Sequence, residues 1–423
     1  MNIETKCMHA GYEPKNTEPR QIPIVQSTTY VYDSTDDVAA VFDDPTKSLI
    51  YSRFENPTVM AVENKIAELE GGIGAMATSS GQAASMCAIL NLCSAGDSFI
   101  STSTIYGGTV NLFAVTMKKF GIECIFVDAD APIEELQKAI KPNTKVVFGE
   151  TLANPALAVL DIEKFAEFAH SNNIPLIIDN TFPTPVLCRP IEHGADIVIH
   201  STSKYMDGHA VQVGGVIVDS GKFDWTNGNF PDFTEPDESY HGISYTETYG
   251  KMAYIVKARM QLMRDLGCYP AANSAFLLNL GLETLAVRMK QYCENALTVA
   301  KHLEASDKVI SVSYPGLESN KYYELGKKYM PEGCSGVITF SIKGGRKNAV
   351  KFMDSLKLAS NVVHVADIRT CVLHPASATH RQLTDEQLVA CGIDGGMIRF
   401  SCGLENVNDI IADIDQAFAQ VEF

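Results

Sequence analysis

Several common functional signatures are missing from this chain of 423 residues. It contains no HExxH, no Walker loop and no G-x-G-x-x-G after a strand, so metalloprotease, P-loop nucleotide and dinucleotide functions have no support. Its ten histidines are scattered and form no ligand cluster, and we therefore predict no metal. No run of about 18 apolar residues occurs, so we expect no association with a membrane.

Basic residues are scarce relative to acidic ones. With 34 Lys and Arg against 51 Asp and Glu, the net charge is −17, which argues against nucleic acid or an anionic membrane as a partner. The eleven cysteines include no CxxC pair, as expected in a reducing compartment. The N-terminal residues lack an apolar signal-peptide core, and we predict a cytoplasmic protein.

The chain is long enough for two or three domains, and hydrophobic periodicity divides it. Residues 1–55 show neither helical nor strand period and predict an extended N-terminal arm, a kind of segment that is usually functional or packed on a partner such as a neighbouring subunit. From Asn56-Pro57 onward, helices and β-branched strands alternate, which predicts a large α/β domain over 56–270 with a mostly parallel sheet. A further strand is expected over 211–218. The helix-rich remainder, 271–423, predicts a smaller α+β domain.

An unusual segment, residues 223–250, interrupts this alternation. It holds seven aromatic residues, including the only tryptophan, with six acids and no Lys or Arg. One interpretation is a solvated acidic loop. The aromatic content favours a packed insert near the functional site or at an interface.

Two apolar strands end in reactive side chains. Leu176-Ile-Ile-Asp179 delivers a carboxylate, and Ile197-Val-Ile-His-Ser-Thr-Ser-Lys204 delivers an amine, at the strand ends where open α/β sheets hold ligands. An amine that forms a Schiff base and a carboxylate that keeps a pyridine nitrogen protonated suit pyridoxal 5'-phosphate (PLP). A purely structural Lys–Asp pair is the alternative.

A phosphate site is indicated nearby. Ser79-Ser-Gly81-Gln82 lies at a strand-to-helix turn, where a glycine permits close approach and free N–H groups attract an anion. Such a turn is more often only a helix cap. Together with the hydroxyls of Ser201 and Ser203, however, it forms a plausible phosphate cup.

The stretch Asp196-Ile-Val-Ile-His-Ser-Thr-Ser-Lys204-Tyr-Met-Asp-Gly-His209 resembles the lysine signature of the Cys/Met-metabolism PLP enzymes of fold type I. Within that family the whole chain is most similar to the O-acetylhomoserine sulfhydrylase branch. The resemblance implies a mostly parallel seven-stranded sheet domain with a smaller C-terminal domain, bound PLP, and a homotetramer of dimers with shared active sites.

The resemblance also implies a role for each matching residue. Lys204 is the catalytic base that carries PLP, and Tyr106 stacks on the ring and assists as a second acid–base group. The remaining cofactor contacts are Asp179, Ser201, Ser203, the N–H groups of Gly81 and Gln82, Asn154, and Tyr51 and Arg53 reaching into the neighbouring subunit. Arg399 binds the substrate carboxylate, and His364 is a substrate contact. On the residues alone, Tyr106 reads as an ordinary aromatic, Asn154 as a turn residue and His364 as a wall of the site.

Some positions depart from the family pattern. Ser203 stands where Thr is common, and Ala366 stands where Gly is usual. Val363 replaces the acid of relatives that handle cysteine or cystathionine, which favours a small uncharged thiol or sulfide. Gly108 stands where methionine γ-lyases carry cysteine, which disfavours a dedicated lyase.

The resulting prediction is γ-replacement on O-acetyl-L-homoserine by sulfide or methanethiol, giving homocysteine or methionine and acetate. The alternatives are cystathionine γ-synthase or methionine γ-lyase activity and, outside enzymes, an inactive PLP-binding regulator.

Overall fold

Two β-sheets organise the chain in the computed structural model, which describes residues 1–43, 48–378, 381 and 394–423. The larger sheet has seven strands in the order β1-β7-β6-β5-β4-β2-β3. Its strands are β1 (Gly74–Thr78), β2 (Ser98–Thr102), β3 (Glu123–Val127), β4 (Thr144–Glu150), β5 (Leu176–Asp179), β6 (Ile197–His200) and β7 (Gly215–Asp219). Only β7 runs antiparallel to its neighbours.

Apolar side chains on both faces explain why this sheet is central. Along β5 and β6, alternate residues enter different core clusters: Ile178 and Val198 face one, and Ile177 and Ile197 face the other. A strand buried on both faces reads as a continuous apolar run, which is the pattern seen in the sequence. The predicted mostly parallel α/β fold is confirmed.

A smaller sheet follows in the C-terminal part, in the order β10-β11-β12-β9-β8. Its strands are β8 (Val309–Ser313), β9 (Val337–Ile342), β10 (Ser360–Asn361), β11 (Cys371–Leu373) and β12 (Met397–Ser401). One core cluster contains residues of both sheets, including Ile178 and Phe400. The two sheets therefore share buried packing, and the domain boundaries at 55 and 270 stay predictions.

Helices cover and connect the strands. The α-helices span Ile3–His9, Thr35–Asp43, Pro57–Glu70, Gly81–Leu90, Gly107–Asn111, Ile133–Gln137, Ile162–Ser171, Thr184–Leu187, Pro231–Thr234, Tyr245–Tyr249, Ala253–Lys257, Arg264–Leu266, Ala272–Glu283, Leu285–Glu304, Tyr323–Tyr329, Gly345–Ser355 and Val407–Phe418. Short 3-10 or π segments span Leu112–Thr116, Met117–Phe120, Pro190–His193, Glu238–Tyr240, Gly250–Met252, Ala258–Met263 and Pro375–Ser377. Within the described residues, no helix is long and apolar enough to cross a membrane.

Local signals explain the helix Pro57–Glu70. The Asn56 side chain accepts a hydrogen bond from the Thr58 N–H, and Gly71 ends the helix at φ 77°. The asparagine satisfies one of the free N–H groups, and glycine adopts the left-handed conformation without a steric penalty.

Two expectations need correction. Residues 1–55 are not uniformly extended, since they contain Ile3–His9 and Thr35–Asp43. The first of these helices packs through the buried Cys7 against the large core cluster. Its short sequence alone does not predict this tertiary contact. The strand expected over 211–218 begins only at Gly215, because Gly214 instead exchanges hydrogen bonds with the Ser203 hydroxyl.

The segment 223–250 is packed rather than solvated. The Trp225 ring stacks on Phe233 at 4.7 Å and on Tyr254 at 5.2 Å between ring centroids, and all three side chains are buried. They cover one face of the seven-stranded sheet. No residue of this segment lines the cavity described below, and its position near the functional site or at an interface stays a prediction.

Candidate functional site

A cavity of about 370 Å³ opens at the carboxyl ends of β4, β5 and β6. The N-terminus of helix Gly81–Leu90 closes one end, and residues of the smaller sheet close another. Ten residues predicted from the sequence line this cavity: Gly81, Gln82, Tyr106, Asn154, Asp179, Ser201, Ser203, Lys204, His364 and Arg399. Tyr51 and Arg53 do not line it.

Asp179 ends β5 in a network that fixes its carboxylate. Its Oδ1 accepts a hydrogen bond of 2.9 Å from the Thr181 N–H and one of 2.5 Å from the Thr181 hydroxyl. The same hydroxyl accepts the Ser201 N–H at 2.8 Å. Thr181 thus links the end of β5 to the residue that follows β6, and it holds the carboxylate in one orientation.

A second carboxyl group lies beside Asp179. Glu150 is its register partner on β4, and burial together with the Asp179 charge raises the pKa of Glu150 well above its usual value. Glu150 accepts the N–H groups of Tyr106 at 2.7 Å and Asn154 at 3.3 Å. Glu150 thus positions two loops, and the rise in its pKa favours leaving the negative charge of the pair on Asp179.

The residues around Asp179 fit the pyridine ring of PLP. Burial raises the pKa of Asp179, and its Oδ2 has no cation or hydrogen-bond donor among the described residues. A buried carboxylate without a counter-ion is costly, and a protonated ring nitrogen would supply that counter-ion.

Lys204 lies in the turn that follows β6. Burial, with a further contribution from the Arg399 charge, lowers the pKa of its amine to about 8. Its Nζ lies 3.4 Å from Nδ1 of His364. An amine with this pKa has a substantial neutral fraction near neutral pH, which nucleophilic attack on an aldehyde requires.

His364 is a neutral neighbour of that amine. Burial and the Lys204 charge lower the pKa of His364 to about 4. Its Nε2 is buried without a hydrogen-bond partner in the described part of the chain. The imidazole thus adds no positive charge to the cavity near neutral pH.

The end of the cavity where the sequence predicts a phosphate is built from backbone groups. The Ser80 hydroxyl accepts the Ala83 N–H at 3.1 Å, so the N–H groups of Gly81 and Gln82 remain free at the start of the helix. A β-carbon on Gly81 would lie 2.6 Å from Cβ of Ser201, too close for any side chain. Glycine at 81 therefore allows the helix N-terminus to approach Ser201.

Ser203 is less available than the sequence predicts. Its hydroxyl accepts the Gly214 N–H at 2.9 Å and donates to the Gly214 carbonyl at 3.3 Å. Ser203 still lines the cavity. Its proposed phosphate contact would have to replace or share these bonds.

Tyr106 lies at the cavity wall with 44% of its surface exposed. A β-carbon on Gly108 would lie 2.5 Å from Cε1 of the Tyr106 ring. The ring position therefore depends on the absence of a side chain at 108.

Arg399 occupies β12, where it is buried without a carboxylate within ion-pair distance among the described residues. Its guanidinium donates to Oδ1 of Asn154 at 3.3 Å and to the carbonyl oxygens of His364 at 3.0 Å and Val363 at 3.4 Å. These neutral acceptors orient the group but leave its charge uncompensated. A substrate carboxylate would provide the missing anion.

Two site residues escaped the sequence reasoning, Glu150 and Thr181. Glu150 follows the apolar run of β4 just as Asp179 follows that of β5, and this repeated pattern of an acid at a strand end was the available signal. Thr181 gave no signal of its own, because its role depends on the contact with Ser201 across two strands.

A model of the family described as Cys/Met metabolism PLP-dependent enzyme matches residues 4–419. The chain is similar to O-acetyl-L-homoserine sulfhydrylase of Leptospira meyeri, with 43% identity over 428 residues, 99% of this chain and 97% of that protein. It is likewise similar to homocysteine synthase of Schizosaccharomyces pombe, with 46% identity over 420 residues and 98% of each chain covered.

Solved structures agree with this relationship. The structure of the putative O-acetylhomoserine (thiol)-lyase of Campylobacter jejuni contains N'-pyridoxyl-lysine-5'-monophosphate. It matches this chain with a TM-score of 0.95 and 38% identity, and the match covers 99% of this chain and 100% of that one. The metB protein of Corynebacterium glutamicum has a TM-score of 0.84 and 32% identity, covering 99% and 98%.

Proposed function

Because the chain belongs to the Cys/Met metabolism family of PLP-dependent enzymes, we propose that it catalyses γ-replacement on O-acetyl-L-homoserine. Sulfide is the nucleophile, and the products are L-homocysteine and acetate. Methanethiol is the second candidate nucleophile and would give methionine.

The cofactor supplies an electron-withdrawing ring that stabilises negative charge at the substrate carbons next to the amine. In our proposal Lys204 holds the cofactor, Asp179 keeps its ring nitrogen protonated, and Thr181 fixes that carboxylate. Gly81, Gln82 and Ser201 hold the phosphate. Asn154, which is hydrogen-bonded to both Arg399 and Glu150, would contact the edge of the ring.

Proton transfer is the task of Lys204. With the substrate bound, the free amine of Lys204 would take the proton from Cα and move protons among the neighbouring carbons. Its lowered pKa suits a base that works near neutral pH. Tyr106 lies against the same cavity and is the second acid–base candidate.

One observation carries the substrate assignment: the buried, uncompensated Arg399 lies in the same cavity as Lys204 and Asp179. An α-carboxylate bound there would place an amino acid's Cα beside the amine. Val363, exposed in the wall, presents an apolar surface to the nucleophile and offers no group for the charged ends of cysteine.

The test is acetate release from O-acetylhomoserine with sulfide, with methanethiol, with cysteine and with no thiol in parallel. The proposal expects rapid release with sulfide. Equally fast release of 2-oxobutyrate without a thiol would identify a lyase, and a preference for cysteine would identify a cystathionine γ-synthase. A Lys204→Ala variant that retained its biological effect would identify a PLP-binding regulator instead.

We further propose a cytoplasmic homotetramer built from dimers with shared active sites. All ten cysteines in the described ranges are free thiols, as suits a reducing compartment. Tyr51 and Arg53 lie outside the cavity of their own chain, which fits a contribution to the partner's phosphate site. Mixing Arg53→Ala with Lys204→Ala protein tests this: subunit exchange should restore some sites if Arg53 acts across the interface, and none if it acts within its own chain.

A further inference from the structure

Two thiols face each other directly behind the phosphate site. The Sγ atoms of Cys87 and Cys268 are 3.4 Å apart, about 1.4 Å more than the S–S bond length of about 2.05 Å. Cys87 is buried on helix Gly81–Leu90, the helix whose first N–H groups form the phosphate site. Cys268 is partly exposed in the turn after Arg264–Leu266.

The turn has more freedom to move than the helix. Cys87 is 1% exposed and packs in the core between the sheet and its covering helices. Cys268 follows Gly267, whose φ is 65°, and its neighbours Leu266 and Tyr269 are exposed. Closing the gap between the sulfurs should therefore displace residues 267–269 rather than the helix.

The two sulfurs also differ in reactivity. The hydrogen bond from the Cys87 thiol lowers the pKa of Cys268 to about 7, while the same bond and burial raise the pKa of Cys87. Cys268 is thus the thiolate that an oxidant reaches, and Cys87 is placed to resolve the product.

We propose that Cys87 and Cys268 form a reversible disulfide and that this disulfide weakens the binding of the cofactor phosphate. The effect on the cofactor rests on the proposed function, whereas the disulfide itself does not. With hydrogen peroxide as the two-electron oxidant, the Cys268 thiolate attacks one oxygen, the O–O bond breaks, and a sulfenic acid and water result. The Cys87 thiol then attacks that sulfur, the S–S bond forms, and the S–O bond breaks with release of a second water. In sum, two thiols lose two electrons and two protons, and one peroxide becomes two waters.

Two contacts couple this turn to the phosphate site. The Cys268 carbonyl accepts the Ser79 N–H at 2.7 Å, immediately before Ser80, Gly81 and Gln82. Upstream, Arg53 donates to the carbonyl of Arg264, the first residue of the short helix that precedes this turn. A displacement of Cys268 therefore shifts the entry to the phosphate loop, and it acts next to the helix that contacts the arginine proposed for the partner's phosphate.

The experiment treats the holoenzyme with hydrogen peroxide, blocks the remaining thiols, and identifies linked peptides by mass spectrometry. PLP released through an ultrafiltration membrane is measured before oxidation, after it, and after dithiothreitol. We expect a Cys87–Cys268 linked pair and about fivefold faster PLP release, as for the loss of one backbone hydrogen bond, reversed by the reductant. Cys268→Ser and Cys87→Ala should each abolish both effects.

Cys124→Ser is the matched control, because Cys124 is also partly exposed but lies on β3, away from the phosphate site. It should retain the linked pair and the PLP response. If no linked pair forms while both thiols become sulfonic acids, the proposed disulfide is wrong. If the pair forms without a change in PLP release, the coupling through Ser79 is wrong. The peptide result does not depend on the reaction that the enzyme catalyses, so it separates this inference from the proposed function.

Discussion

The substrate arginine gives the sharpest prediction, through the variant Arg399→Lys. Lysine keeps the positive charge but loses the planar fork that binds both carboxylate oxygens. The Arg399 guanidinium already donates hydrogen bonds of 3.0 to 3.4 Å to the Asn154 side chain and to the carbonyl oxygens of His364 and Val363. These contacts fix the orientation of the guanidinium. A shorter ammonium cannot satisfy those acceptors and the substrate together.

The expected loss is that of one hydrogen bond to a charged group, about 1.5–3 kcal/mol, which corresponds to roughly a 10- to 150-fold increase in KM for O-acetylhomoserine. Because the carboxylate is held equally before and during the reaction, kcat should change by less than about threefold. PLP absorbance should stay unchanged, since the residues assigned to the cofactor are intact.

Steady-state acetate release with saturating sulfide measures both constants. Arg369→Lys is the matched control, because Arg369 is a largely exposed arginine on the adjoining loop that already pairs with Asp367. It should leave KM within about twofold of the parent, as expected for an exposed ion pair. An unchanged KM in Arg399→Lys, or a large fall in kcat alone, would refute the assignment of Arg399 to the carboxylate.

Three further outcomes follow from the same geometry. Asp179→Asn removes the only charged partner proposed for the ring nitrogen and should lower acetate release by roughly a hundredfold or more while PLP stays bound, as read from its absorbance; an unimpaired rate would contradict the role of Asp179. Ala366→Gly should raise the free energy of unfolding in urea by about 1 kcal/mol, because Ala366 has φ 67°, a left-handed conformation that costs alanine more than glycine; lower stability would contradict this account. His364→Asn should make the protein less sensitive to acid, because folding lowers the pKa of His364 from 6.5 to about 4 and the parent therefore loses stability as pH falls through this range. Between pH 7.5 and 4.5, the free energy of unfolding in urea should fall by about 1–2 kcal/mol less in the variant than in the parent, after allowance for solvent screening. An equal fall in the two proteins would count against this role of His364.

Much of this site was predictable because the chemistry is concentrated at strand ends. Asp179 and Lys204 each follow a short β-branched run, so their meeting at one sheet edge follows from the rule for parallel strands. Gly81 carried a weaker signal, because a Ser-Gly turn before a helix is more often only a cap; the hydroxyls of Ser201 and Ser203 were needed to indicate a phosphate site there.

The parts that sequence reasoning missed depend on long-range packing. The N-terminal helix Ile3–His9 is too short to form from its own propensity and is stabilised by burial of Cys7 in the core. Thr181 acquires its importance only when β6 brings Ser201 to its hydroxyl. The availability of Ser203 could not be read from its neighbours, because its bonds go to Gly214 beyond the lysine turn.

Arg399 lies on β12, in the last strand that the chain contributes to the smaller sheet, whereas Asp179 and Lys204 follow β5 and β6 of the larger one. During synthesis, the strands that position the residues proposed to bind the cofactor leave the ribosome long before β12, which carries the arginine proposed to bind the substrate. A nascent or truncated chain ending before Met397 would lack the arginine entirely. We therefore expect such a fragment to be unable to select amino acids by their carboxylate, whether or not it binds PLP. Substrate selection would become possible only when the final segment of the polypeptide has been made.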